Sequence, residues 1–265
     1  MRLRLLALFP LVFAAVFVVA VLTLDGGALT AFTLGQRLLV RLLAIVGSFW
    51  AAAVFARGDH LRRAWQWLAW GTVAVLVRDL LRIVPDLAAW TDASSAGAAL
   101  VQTLGVLSNV GLLVGVWLLA RSWKVAALTV PGGRAGMAVT TTVVAVLALA
   151  VAGPAALARL LDVAAGDGSQ LVLLVSAVVD VLALCLLSPL LLTAVSLRGG
   201  SFSWPFALLA ASLLSWLLYD AAAHWQQALS PGGFPTAELF RGLAQNFQFV
   251  AGLAQALVVR EVRRR

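Results

Sequence analysis

The stretch that decides the fold covers residues 170–197 and reads QLVLLVSAVVDVLALCLLSPLLLTAVSL, with Asp180 as its only charged residue. A helix needs about 20 apolar residues to cross a bilayer, and this run is longer than that. Lipid offers the backbone no hydrogen-bond partners, so a spanning segment of this length is expected to be helical. The run also lacks the strict alternation of a barrel strand.

The whole chain of 265 residues shares this character: 63% of it is apolar, 11% is charged, and its mean hydropathy is +1.02. Soluble domains are about 45–50% apolar and about 25% charged. A water-soluble globular enzyme is therefore excluded, and so is a disordered chain, which needs low hydrophobicity. The predicted fold is all-α, a polytopic integral membrane bundle.

Turn residues such as Asp25-Gly26-Gly27 and Pro131-Gly132-Gly133 separate eight apolar runs. The first run is too long for a usual signal core and is expected to be retained as a span. The eight predicted spans cover residues 5–24, 36–56, 64–86, 96–120, 136–159, 170–197, 204–227 and 236–259.

The loops divide by charge, which predicts the orientation of the bundle. Arginines collect at one end, around Arg2, Arg57, Arg121 and the C-terminal run 260–265. Acids collect at the other end, with Arg159 as the main exception there. The positive-inside bias then places both termini in the cytoplasm, a parity that eight spans satisfy.

An internal repeat is predicted from two matching stretches. Arg57-Gly58 precedes Asp79 by 22 positions, and Arg198-Gly199 precedes Asp220 by the same 22. We therefore expect two four-helix halves, residues 1–130 and 131–265. An even number of spans per half would make them parallel, related by an axis along the membrane normal.

Ionisable residues inside a span cost about 2.5–3.5 kcal/mol each on insertion scales, so they mark candidate sites. Nearly all of them lie in the outer half of the predicted bundle, which indicates a pocket open to the outside and not a continuous pore. Arginines outnumber acids there, which favours an anionic ligand or a lipid headgroup. The candidate ligand-binding residues are Arg37, Arg41, Arg78, Asp79, Asp180, Asp220, His224, Arg241 and Gln245.

A structural interpretation of the same residues stays open. Arg78, Asp79 and Arg82 could pair with one another or with Asp220 as contacts between helices. Arginines near the span ends could extend to the interface. Asp180 could be protonated and hydrogen-bonded to a neighbour.

Other chemistries find little support in the sequence. His60 and His224 lie on opposite sides and cannot bracket a haem, and Cys185 is alone, so neither a metal site nor any cofactor is expected. No nucleophile with a nearby base is found, so enzymatic activity is not expected, and no basic, aromatic-rich run predicts nucleic-acid binding. Gly111 and Gly115 predict close helix packing, inside the bundle or in a homodimer.

Two stretches share one plan. Trp65 to Arg121 forms a tryptophan-led helix ending in an aspartate, a polar loop, and a glycine-rich helix ending in arginine. Phe202 to Arg260, centred on Leu217-Leu218-Tyr219-Asp220, repeats it. The plan resembles the multi-span sensory regions that precede diguanylate cyclase (GGDEF) and histidine kinase domains in bacteria. The resemblance implies a sensory or ligand-binding role in the inner membrane with cytoplasmic output.

The chain stops at Arg265 without an output domain. We therefore expect either a longer parent protein or a module that signals through a cytoplasmic partner. The leading hypothesis is an outward-facing sensory or ligand-binding membrane module. Alternatives are a small secondary transporter that uses Asp180 as its coupling site, a structural subunit of a membrane complex, and an enzyme acting on lipid.

Overall fold

The computed structural model describes residues 2–125, 132–196, 203–229 and 235–264. Within these ranges the chain is all helical and contains no strand, which confirms that the fold is all-α. The helices are α1 (Arg2–Thr23), α2 (Gly26–Ala53), α3 (His60–Ile83), α4 (Pro85–Ala93), α5 (Ser95–Val125), α6 (Gly133–Ala164), α7 (Leu171–Ser196), α8 (Ser203–Leu229) and α9 (Thr236–Arg264), with a 3₁₀ turn at Gly168–Gln170.

Seven of the helices in the described ranges are long and apolar enough to cross a membrane, namely α1, α2 and α5 to α9. This composition is compatible with a multi-pass membrane protein. The predicted eighth span corresponds to α3, which is a 24-residue helix but does not reach the same apolarity. Arg78, Asp79 and Arg82 near one end of α3 and Arg62 and Arg63 near the other end account for the difference.

Several helix boundaries differ from the expected ones, and two of them, the start of α2 and the end of α3, change the connecting segments. α2 begins at Gly26, ten residues before the predicted start, because the segment after Asp25 continues helically and does not form a loop. α3 ends at Ile83, and the short helix α4, which was not predicted, follows at once. Pro85 explains this break, because the residue before a proline is driven to extended backbone and proline itself fits the first turn of a helix. Val84 accordingly has φ −75° and ψ 119°.

Six helices pack in a closed ring in the order α2, α3, α5, α7, α8, α9 and back to α2. α1 lies outside the ring against α9, and α6 lies outside it against α7 and α8. The Phe9 ring packs on the Phe249 ring at 5.6 Å, and Phe13 lies against Gly242, so α1 runs antiparallel to α9 and its start lies toward the end of α9. We call this the terminal end of the bundle, and the opposite end, where α4 and the 3₁₀ turn lie, the α4 end.

α3 and α5 run antiparallel at close range because glycines face each other between them. A Cβ atom placed on Gly111 would lie 2.7 Å from the Gly71 Cα, and one placed on Gly115 would lie 2.7 Å from the Leu68 side chain. No side chain larger than hydrogen fits at such a distance. The predicted packing role of Gly111 and Gly115 is therefore realised inside the bundle, against α3.

The main apolar core fills the terminal half of the ring. It takes residues from the later turns of α2, α5, α7 and α9 and the early turns of α3 and α8. Trp65, Leu119, Leu187 and Leu213 are fully buried members of it. The outer surface is apolar as well, with side chains such as Leu147 more than half exposed.

Candidate functional site

Two adjoining cavities occupy the α4 half of the ring. The deeper one, which we call the chamber, has a volume of about 90 Å³ and is lined by α2, α3, α5, α7, α8 and α9. The shallower one, the vestibule, has a volume of about 330 Å³ and reaches Ser169 and Gln170 in the 3₁₀ turn. Both cavities share the wall residues Arg78, Val172, Leu173, Tyr219 and Arg241. They therefore form one continuous recess that deepens from the α4 end toward the middle of the bundle.

The chamber carries opposite charges on different walls. Its arginines are Arg41 from α2, Arg78 from α3 and Arg241 from α9. Its carboxyl groups are Asp180 from α7 and Asp220 from α8. Buried charges are costly unless they are paired, so the pairing of each group decides what the site can bind.

Two buried ion pairs tie helices together beside the chamber. Arg41, 1% exposed, pairs with Asp79 of α3 and also donates to the Val75 carbonyl oxygen at 2.9 Å. Arg159 of α6 approaches Asp220 Oδ1 at 3.4 Å and donates to the Leu173 carbonyl oxygen at 3.1 Å. Each pair joins helices that are neighbours in the fold, so both serve structure.

A third group of charges lies near the mouth of the vestibule. Glu238, at the start of α9, accepts from Arg37 at 2.8 Å and pairs with Arg241 at 3.0 Å. Arg241 also donates to the Tyr219 hydroxyl, and its guanidinium carbon lies 4.7 Å from the centre of the Tyr219 ring. Glu238 thus divides one negative charge between two cations, and neither is fully neutralised.

Arg78 and Asp180 remain unpaired. Among the described residues, neither side chain forms an ion pair or accepts or donates a hydrogen bond, and the Arg78 Nε atom is buried without a partner. Asp180 is 2% exposed and lies in the chamber wall. Asp220 Oδ2 and Gln245 Oε1 are also buried without a hydrogen-bond donor among the described residues. Unpaired polar atoms of this kind are rare in native interiors and need a reason.

The floor of the chamber is closed by hydrogen bonds. The Gln248 side-chain amide donates to Ser48 Oγ at 3.1 Å and to Thr72 Oγ1 at 2.9 Å. Leu68 and Leu112 contribute apolar surface at this depth, and the main core begins beside them. The recess is therefore open toward the α4 end and bounded by packed side chains toward the terminal end.

Most predicted site residues lie around this recess. Six of them line the chamber, namely Arg41, Arg78, Asp180, Asp220, Arg241 and Gln245, and two, Arg37 and Asp79, line the vestibule only. His224 lines neither cavity, and its ring packs on Trp225 at 5.4 Å. It shares a helical face with Asp220 in sequence, yet it lies one turn nearer the end of α8.

Three residues of the site were not selected from the sequence. Arg159 was predicted at the last position of the span 136–159, as a basic exception at the acidic end, although α6 extends to Ala164 and Arg159 is buried. Glu238 was not distinguished from the other acids at that end, although it pairs with two site arginines. Tyr219 is the only tyrosine in the chain, and this rarity inside an apolar helix is the signal that could have found it.

No group of three or more histidine, cysteine, aspartate or glutamate side chains able to hold a metal ion occurs within the described residues. The chemistry that the recess offers is charge recognition by guanidinium and carboxyl groups. No family model, no curated protein and no solved structure matches this chain.

Proposed function

We propose that this chain is an inner-membrane protein that crosses the bilayer eight times, with both termini in the cytoplasm. The support for α3 as a span is its packing, because Gly71 faces Gly111 and Leu68 faces Gly115 along an antiparallel pair. Because α3 packs alongside the apolar helix α5 over this length, the two helices would lie at the same depth in the membrane. The arginines at the terminal end and the acids at the α4 end then orient the bundle by the positive-inside bias.

Cysteine labelling tests this topology. Ala56→Cys lies in the loop before α3 and Ala93→Cys lies at the end of α4, and both positions are exposed. A membrane-impermeant maleimide added to intact spheroplasts should label Ala93→Cys only, and both variants should react after lysis. Equal labelling of the two before lysis would place both ends of α3 on one side and overturn the eight-span topology.

We further propose that the recess is the ligand site of a sensory module and that it binds a small anion from the extracytoplasmic side. The observation that carries this proposal is the unpaired guanidinium of Arg78 at the junction of chamber and vestibule. Around the recess, six guanidinium groups (Arg37, Arg41, Arg78, Arg82, Arg159 and Arg241) face four carboxyl groups (Asp79, Asp180, Asp220 and Glu238). A bound carboxylate or phosphate would supply the missing negative charge through charge-assisted hydrogen bonds.

The packed terminal half favours binding over passage. A transporter needs polar groups at successive depths on the route to the cytoplasm, whereas the apolar core lies directly below the chamber. α9 connects the two halves, because Arg241 and Gln245 line the chamber and the same helix continues to Arg264. We propose that ligand binding shifts the position of α9 and that its cytoplasmic end passes the change to an output partner.

Thermal unfolding of the full chain in detergent, followed by tryptophan fluorescence, tests anion binding. The probes are pentanoate, methylphosphonate and sulfate, and uncharged pentanamide is the control ligand. A binding anion should raise the unfolding temperature with concentration, since a ligand of the folded state stabilises it by RT ln(1 + [L]/Kd). If none of the three anions exceeds pentanamide, the proposed site is wrong.

Matched variants locate the response on the recess. Arg78→Gln should abolish the anion-dependent shift with little loss of stability in the free protein, because Arg78 forms no ion pair or side-chain hydrogen bond among the described residues. Arg63→Gln is the control, since it removes the same charge from an exposed position at the other end of α3. An unchanged response in Arg78→Gln would exclude the recess. Flux of a bound anion into proteoliposomes would overturn the sensory proposal and favour the transporter alternative.

A further inference from the structure

We infer that the ligand of the recess is dipolar, with an acidic group held by Arg78 and an ammonium group held by Asp180. This inference rests on the proposed anion site and adds the substrate class. It starts from the second unpaired group of the chamber, since a site for a simple anion has no use for a buried carboxyl group. A buried ionised carboxyl group is compensated by a proton or by a cationic group, and an ammonium group of the ligand would supply the cation at Asp180.

The acceptor atoms around Asp180 suit an ammonium group. A primary ammonium has three N–H donors and no acceptor. The chamber offers the Asp180 carboxyl group, Asp220 Oδ2 and Gln245 Oε1 as acceptors without a donor among the described residues. Trp216 lines the same chamber, and an indole face attracts a cation as well.

The charged groups facing Asp180 leave room for one added positive charge. Asp220 from α8 is the neighbouring acid, and Arg159 from α6 is the neighbouring cation, already held by Asp220 and the Leu173 carbonyl. α5 faces the chamber with the uncharged Ser108 and Asn109. Asp220 also faces Arg241, which Glu238 and the Tyr219 hydroxyl already hold, so neither guanidinium group is left free for Asp180.

The spacing of the two unpaired groups sets the length of the ligand. A Cβ placed on Gly105 would lie 3.2 Å from Arg78 Nη1 and 2.6 Å from Val172 Cγ1, so the guanidinium group lies beside Val172. Asp180 follows Val172 by eight residues on α7, about 12 Å along the helix axis at 1.5 Å per residue. With this axial offset taken as the separation of the two side-chain groups, one charge-assisted contact of about 3 Å at each end leaves about 6 Å between the two charged groups of the ligand. A chain of four methylene groups between the amine and the carboxylate has that length.

Binding of three isosteric probes to the purified full chain tests the inference. The probes are 5-aminopentanoate, which carries both charges, pentanoate, which carries the acid only, and pentylamine, which carries the amine only. We expect 5-aminopentanoate to bind at least tenfold more tightly than either of the others. If pentanoate binds as tightly as 5-aminopentanoate, the dipolar inference is wrong while the anion site stands. If neither binds, the proposed function itself fails.

Variants test which residue holds the ammonium group of the ligand and which holds its acidic group. Asp180→Asn should lower the affinity for 5-aminopentanoate about tenfold and leave that for pentanoate unchanged, whereas Arg78→Gln should weaken both. Asp162→Asn, an exposed acid at the α4 end, is the control and should change neither. Equal loss of both ligands in Asp180→Asn would contradict an ammonium site at Asp180.

A length series keeps the test independent of any variant that fails to fold. Unbranched amino acids from 3-aminopropanoate to 7-aminoheptanoate should show an affinity maximum near five carbons in the unmodified protein. A steady rise with chain length would indicate apolar burial alone and overturn the two-point site. Repeating the measurement in nanodiscs with and without phosphatidylethanolamine identifies the source of the dipolar group, because a lipid headgroup ligand would compete with the soluble probe.

Discussion

The two halves of this bundle are built by the same helices and have opposite interiors. α3 contributes Trp65 and Leu68 to the apolar core at the terminal end and Arg78 and Asp79 to the recess at the α4 end. α9 likewise runs from Arg241 in the chamber into the buried turns of the core. The change from polar to apolar lining occurs within single helices, so it cannot result from separate domains.

This difference indicates how a small bundle can keep unpaired charges. An unpaired buried charge lowers stability, and only surplus stability elsewhere permits it. The terminal half supplies that surplus by close packing around Leu119, Leu187 and Leu213. A loosely filled half with Arg78 and Asp180 unpaired can then persist, as the proposed binding site requires.

The largest effect on stability is expected from a substitution that leaves a cavity in the packed half. Trp65 is 1% exposed, and Trp65→Ala should lower the free energy of unfolding by about 3–5 kcal/mol, because it removes a large buried side chain and leaves a cavity. Denaturant titration of the purified protein measures the change. Trp67→Ala is the matched control, since Trp67 is on the same helix and 44% exposed, and its change should stay within about 0.5 kcal/mol. Equal losses in the two variants would contradict a core confined to the ring interior.

An intermediate effect is expected from the ion pair beside the chamber. Arg41→Gln leaves the Asp79 carboxylate buried without its cation, which should cost about 2–3 kcal/mol of unfolding free energy. The double variant Arg41→Gln with Asp79→Asn should recover part of this loss, because no net charge remains buried. A loss in the double variant equal to the sum of the two single losses would show that the two groups do not interact.

The sequence predicts the helices well because the physics of a span is local. A run of 20 or more apolar residues forms one helix regardless of its neighbours, and this holds for α1, α7 and α8. The concentration of polar residues at one end of the bundle can also be predicted from the sequence, since the position of a residue along a span gives its depth in the membrane. The short helix α4 is harder, because nine residues between Pro85 and Ala93 carry too few turns for a periodic pattern.

The pairing of charges is not readable from one sequence. Asp79 lies next to Arg78 and three residues from Arg82 in the chain, yet it pairs with Arg41 of another helix. Asp220 pairs with Arg159, which the sequence places at the very end of the predicted span 136–159. These choices depend on which helices become neighbours in the ring, and neighbouring helices are set by packing that is distributed over the whole chain. The unpaired state of Arg78 and Asp180 follows only once those pairs are known.

The smallest effect on stability is expected at the mouth of the recess, where Glu238 competes with a bound anion for Arg37 and Arg241. Side chains of this ion pair are 19–23% exposed, so Glu238→Gln should change the free energy of unfolding by less than about 1 kcal/mol. The affinity of this variant for pentanoate should rise about threefold to tenfold, because two guanidinium groups lose their internal counter-ion, and calorimetry at physiological ionic strength measures the change. Asp86→Asn removes the same charge from an exposed position on α4 and should raise affinity by less than twofold, since charges beyond about 8 Å are screened at physiological salt. An equal gain in both variants would mean that surface potential, and not the guanidinium groups of the recess, governs binding.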